Sequence, residues 1–288
     1  MFKDRSKRSI FQTSGILLLL LLSGCGEHVG KHDTSQQTEA RFRDYKVIIS
    51  ELDESRVEIF KGATLVYAMD GHRFFIGNPE ANGKKEVATP IGMDITGEGQ
   101  PNLVISEYTG GAHCCSLFHI FEIGEKFRHI QTIELQDSCT DFKNLDNDPA
   151  LELPMNDWTF AYWNACFAAS PAPEVILKYS GGQYQVASNL MRKLPRRQAE
   201  LIETAAKIKL LPEWKDPAQK FPPALWREML NLIYTGNMAQ AWKLFDLAWP
   251  EGMAGKQEFL EEFKAQLKKS LYWEQIQNMN KKSLVKEP

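Results

Sequence analysis

Two acidic stretches carry the residue types and spacing that hold a hard cation. Asp94, Thr96, Glu98 and Asn102 stand at positions 1, 3, 5 and 9 of one loop, with Gly99 after the fifth and an apolar run from Leu103. Asn144, Asp146, Asp148 and Glu152 repeat that spacing. Alternate side chains of such a loop turn their oxygens toward one point, which is the ligand set that calcium takes. The competing reading is an acidic turn whose Asx side chains bond their own backbone.

Sulfur forms the second chemical set. Cys114, Cys115, Cys139 and Cys166 are even in number, and neighbours on a strand point to opposite faces. Two disulfides are therefore expected, Cys114 and Cys115 each bonding one of Cys139 and Cys166. His113, Cys115 and His119 share a strand face and offer a zinc or copper alternative. Each strand residue advances about 3.3 Å, so ligands four residues apart are too distant for one ion unless a bulge intervenes. No serine elbow, two-histidine helix motif, phosphate-cradling loop or dinucleotide fingerprint is present. Trp158, Phe160 and Tyr162 alternate as strand residues do, either to stack on sugar rings or to fill a core.

The N-terminus supplies an address. Lys3, Arg5, Lys7 and Arg8 precede an apolar run from Ile16 to Leu22 that ends in Ser23 and Gly24, the plan of a signal peptide. A run this short does not span a bilayer, which takes roughly 20 residues. Leu22-Ser23-Gly24-Cys25 resembles the bacterial lipobox, which implies cleavage before Cys25 and diacylglycerol on its thiol. Gly26 stands where an aspartate would resemble an inner-membrane retention signal, so the expected location is the cell envelope, with the outer membrane favoured.

The chain has 288 residues, of which 43% are hydrophobic, enough to bury a substantial core. From Gly26 to Ser188 there are 24 acidic against 13 basic side chains, and from Asn189 onward 12 against 17. No basic run interleaved with aromatics supports nucleic-acid binding. The expected division is a signal peptide at 1–24, a flexible tether at 25–44, a β-rich domain at 45–190, a helical domain at 191–279 and a polar tail at 280–288.

Short β-rich runs cover Val47–Ile49, Val57–Phe60, Thr64–Tyr67, Arg73–Ile76, Leu103–Tyr108, Cys115–Ile123, Phe127–Leu135, Trp158–Trp163 and Val175–Tyr179. Turn formers such as Gly181-Gly182 separate them. Apolar residues at helical spacing predict helices at Gln198–Leu211, from Pro222 or Pro223 to Thr235, from Asn237 to before Pro250, and over Lys256–Met279. Gly236, Ala241, Phe245 and Ala248 match the turn and second helix of a tetratricopeptide repeat, but one copy forms only a helical hairpin.

The two acidic loops, each leading into a strand, resemble FG-GAP or VCBS repeats, the loop-plus-strand units of integrin-type β-propellers. Thr96, Asn102 and Pro149 depart from that pattern, the last standing where the family has glycine. The chain as a whole resembles uncharacterised bacterial lipoproteins that join such repeats to a helical C-terminal part. The fold class so implied is α+β and multidomain: an all-β meander or partial, propeller-like domain followed by an α-helical hairpin domain. The expected function is a membrane-anchored binding or scaffold module, meeting the membrane through its lipid and meeting an envelope protein or glycan. No cofactor is required by this reading, and calcium is the one candidate. The alternative is an envelope hydrolase using carboxylates near the second acidic loop.

Overall fold

The computed structural model describes residues 36–51, 55–78, 89–111, 116–215 and 221–281. The fold is mixed α+β. The first sheet is a four-stranded antiparallel meander of β1 (Gln36–Phe42), β2 (Tyr45–Glu51), β3 (Ser55–Lys61) and β4 (Thr64–Gly71). The second repeats that plan with β5 (Arg73–Ile76), β6 (Asn102–Tyr108), β7 (Ser116–Ile123) and β8 (Phe127–Gln136). The third has three strands in the order β11-β10-β9, formed by β9 (Glu152–Asn156), β10 (Glu174–Ser180) and β11 (Gln183–Val186).

The middle strands of the second sheet are buried on both faces, which is why Leu103, Val104 and Ile105 of β6 are apolar in succession rather than in alternation. Leu103, Ile105, Phe121 and Ile123 join Val47, Ile49, Val57 and Ile59 of the first sheet in one core. Val104, Phe118, Ile120 and Ile133 face the other way, into a larger core shared with the third sheet and the helices. By contrast β2 and β3 alternate buried with half-buried side chains, the period expected of strands with one solvated face.

Three strands are not legible in the sequence. β1 lies inside the expected tether, yet it pairs residue for residue with β2, from Gln36↔Glu51 to Phe42↔Tyr45. It is an edge strand with mostly exposed side chains, so its polar residues show no apolar alternation. β9 contains Pro154, tolerated because β9 also lies at a sheet edge. β11 is short, but its hairpin to β10 follows the Gly181-Gly182 signal, with both glycines at positive φ (62° and 93°). The expected strand over Trp158–Trp163 is instead a pair of tight turns: Ala161 N–H donates to Trp158 O and Trp163 N–H to Phe160 O, and Tyr162 is left-handed at φ 59°.

Among the described residues six helices follow: α1 (Ser188–Met191), α2 (Gln198–Lys209), α3 (Pro223–Ile233), α4 (Met238–Ala248), α5 (Lys256–Leu267) and α6 (Trp273–Lys281). Pro223 starts α3, where its missing N–H costs nothing. α3 and α4 form the expected hairpin across Gly236 at φ 80°. Asn237 does not cap α4 with its side chain; Asn280 of α6 takes that place, its Oδ1 accepting the Met238 N–H at 2.8 Å. The single helix expected over Lys256–Met279 is broken between α5 and α6 at Ser270, whose hydroxyl accepts the Tyr272 N–H at 3.1 Å. No helix among the described residues is long and apolar enough to cross a membrane.

Candidate functional site

The first acidic loop closes on itself. Asp94 Oδ1 accepts from Thr96 Oγ1 at 3.1 Å and Gly97 N–H at 2.8 Å, and Asp94 Oδ2 accepts from Gly99 N–H at 2.8 Å. Asn102 Oδ1 accepts the N–H groups of Ile95 and Thr96. These are Asx-type ties in which a short polar side chain replaces a backbone partner. Glu98 faces elsewhere, accepting from Tyr179 Oη at 3.1 Å with Arg128 at 3.7 Å. Asp94, Thr96, Glu98 and Asn102 therefore do not converge on one point.

The second loop brings three of its four candidates together. One carboxylate oxygen each from Asp146, Asp148 and Glu152 lies within 4.8 Å of the others. Asn144 stands apart, its Oδ1 accepting the Asn147 N–H at 2.7 Å and its Nδ2 donating to Asp148 O. The turn that Pro149 denies to a glycine is made by Asn147, left-handed at φ 64°, a conformation asparagine tolerates.

A cation of the protein's own fills this cage. Lys178 Nζ lies 2.6 Å from Asp146 Oδ2, 2.5 Å from Asp148 Oδ2 and 2.8 Å from Glu152 Oε1. Lys178 is the cross-strand partner of Glu152 in the β10–β9 ladder, so sheet register delivers the ammonium. Burial works to lower the Lys178 value, but the hydrogen bonds to Asp146 and Asp148 and the close Glu152 carboxylate outweigh it and hold the ammonium above its ordinary value. The Lys178 hydrogen bond in turn keeps the Asp146 carboxyl below the usual range. Calcium needs six to eight oxygens at about 2.3–2.6 Å; with Lys178 at the centre of the three carboxylates, these residues do not fit it.

The two loops pack against each other. Leu151 N–H donates to Ile95 O at 3.0 Å, and Tyr184 Oη from β11 donates to the same carbonyl at 3.0 Å. Gly97, at φ +73°, has no room for a side chain, since a Cβ would fall 2.5 Å from Ala150 N. Gly97→Ala is expected to cost about 2 kcal/mol in urea unfolding from strain and clash together. Gly99→Ala, equally left-handed but facing open space, should cost about 1 kcal/mol. Equal losses would show that the loop contact carries no weight.

The other candidates are dispersed. Cys139 and Cys166 are exposed free thiols, while Cys25, His113, Cys114 and Cys115 lie outside the described residues. His119 is buried with both ring nitrogens engaged, Nε2 to Glu107 Oε2 at 2.9 Å and Nδ1 to Thr132 Oγ1 at 3.0 Å. Phe160 is a core residue, packed 5.2 Å from both Trp163 and Phe263. Trp158 stacks on Phe167 at 4.7 Å and 8°, and Tyr162 stands 60% exposed beside Phe167. Trp226 and Trp249 are buried and Trp242 is half-buried.

Two buried acids escape reasoning from spacing. Glu107 pairs with His119 from inside a buried strand, and Asp157, 1% exposed, accepts from Tyr234 Oη at 2.6 Å, Thr159 Oγ1 at 2.5 Å and Ser270 Oγ. Burial first, and the Asp157 charge second, push the Tyr234 hydroxyl well above its ordinary value. An acid directly after a strand is the only local signal for Asp157.

No protein family matches the chain, and no solved structure matches it. It is 30% identical over 147 residues to the uncharacterised protein y4bJ of Sinorhizobium fredii (strain NBRC 101917 / NGR234), a match covering 50% of this chain and 22% of that protein. The matched part is thus about a fifth of the relative's length.

Proposed function

We propose that the chain is a lipid-anchored binding module of the bacterial cell envelope. The observation that carries this reading is the tetrad Leu22-Ser23-Gly24-Cys25 behind a basic and apolar leader. Three antiparallel meanders, with an acidic loop leading into β6 and another into β9, support an open, propeller-like arrangement related to FG-GAP or VCBS repeats. Closed propellers use four or more blades, and the helices seal this shorter set in our reading. The partner is an envelope protein or glycan, and the ring of Tyr162 beside Phe167 and Trp158 is the aromatic surface offered to it.

The competing reading, an envelope hydrolase working through the second acidic loop, draws less support because Lys178 engages all three convergent carboxylates. Membrane fractionation and labelling with a clickable fatty acid test the anchor. The unaltered chain should label and sediment with membranes, and Cys25→Ser should do neither, because one or more acyl chains supply roughly 0.8 kcal/mol of partition energy per buried methylene. A Cys25→Ser chain that labels and sediments as before would sink the envelope address. Affinity capture of the lipidated protein from native membranes then tests the partner, and recovery of no reproducible partner would count against the binding role.

A further inference from the structure

We infer that the Lys178 ammonium is the resident cation of the second acidic loop, standing where a divalent metal would otherwise stand, and that its removal opens a calcium site. Three carboxylates with oxygens within 4.8 Å of one another repel unless a positive charge lies among them. Lys178 Nζ is 2.5–2.8 Å from one oxygen of each.

A second observation is the burial and bonding of Glu152. The Glu152 side chain is fully buried, its Oε2 accepting the Leu145 N–H at 2.7 Å while Oε1 makes no hydrogen bond of acceptable geometry. That oxygen is aimed at the ammonium, close in distance but poorly aligned. A spherical ion has no such directional need, so the cage has the form of a cation site that a lysine occupies.

Geometry also explains why the lysine stays. Its backbone is fixed opposite Glu152 by the β10–β9 ladder, whereas a calcium ion would have to be collected from solution. The loop therefore closes without metal, and calcium cannot enter while the ammonium is present. This inference concerns one loop and stands whether or not the chain carries a lipid.

The test uses the purified chain and its Lys178→Met variant, each stripped with chelator and then titrated with calcium. Heat of binding and thermal midpoint are both read. The unaltered chain should release no binding heat and shift by less than about 1 °C between chelator and millimolar calcium. Lys178→Met should melt lower in chelator and regain roughly 5–10 °C on calcium, and adding Asp146→Asn should abolish that gain. If Lys178→Met does not fold in chelator, refolding on calcium alone is the same positive result. Calcium binding by the unaltered chain, or a Lys178→Met variant that gains neither stability nor folding from calcium, overturns the inference.

Discussion

Asp157→Ala is expected to lower stability by about 3–5 kcal/mol, the scale seen when one partner of a buried polar network is removed. Asp157 lies just after β9, and its carboxylate gathers hydroxyls from three parts of the chain: Thr159 in the following turn, Tyr234 at the end of α3 and Ser270 between α5 and α6. Tyr234 is itself buried. Without the acceptor, the Tyr234 hydroxyl keeps only the longer contact to Ser270 Oγ at 3.3 Å and the Ser270 hydroxyl loses its own acceptor while remaining away from water, so most of the penalty is desolvation. Asp157→Asn keeps an acceptor oxygen, and the hydroxyls can rotate toward it, so its loss should be smaller, about 1–2 kcal/mol. Urea unfolding of both variants, with a double-mutant cycle through Tyr234→Phe, reads the difference. A coupling below about 0.5 kcal/mol between the two positions, the level of independent sites, would show that the network does not act as a unit.

The same network marks where sequence reading stops. An apolar period identifies α2, α3 and α4 because each buries one stripe, and the Gly181-Gly182 pair marks its hairpin because only positive φ closes so short a turn. Nothing local announces that Lys256–Met279 must break at Ser270. The break follows from a contact with Asp157, over a hundred positions away in the chain, and such pairings have no period. Trp158, Phe160 and Tyr162 alternate as a strand would, but Asp157 captures the Thr159 N–H at 2.9 Å and turns the chain instead.

The acidic loops divide in the same way. Spacing groups Asp146, Asp148 and Glu152, because convergence there is set by the loop itself. It cannot reveal Lys178, which arrives through strand register from beyond the loop. In the first loop the spacing is similar, but glycines at 97 and 99 free backbone N–H groups to turn inward onto Asp94, and the side chains serve the turn rather than a shared ion.

Phe259→Ala is expected to cost about 3–5 kcal/mol, the range for deleting a buried aromatic ring. Phe259 on α5 is 0% exposed, and its ring lies 5.0 Å from Phe221, 5.5 Å from Trp163, 5.7 Å from Phe245 and 5.8 Å from Trp249. Those neighbours come from α4, from both flanks of the α3–α4 hairpin and from the turns that follow β9. The cavity would therefore open between the helices and the segment at 158–165, and the helical part should not unfold as a separate domain. A single urea transition with an unchanged m-value and a lower midpoint is the expected record. Phe259→Leu, which refills much of the volume, should lose less than about 1.5 kcal/mol. Because Trp163 also packs 5.3 Å from Trp226, tryptophan emission should shift to the red in Phe259→Ala as water reaches the cavity. Two separate transitions in the unaltered chain, one for the sheets and one for the helices, would refute this shared core and support a division near residue 190.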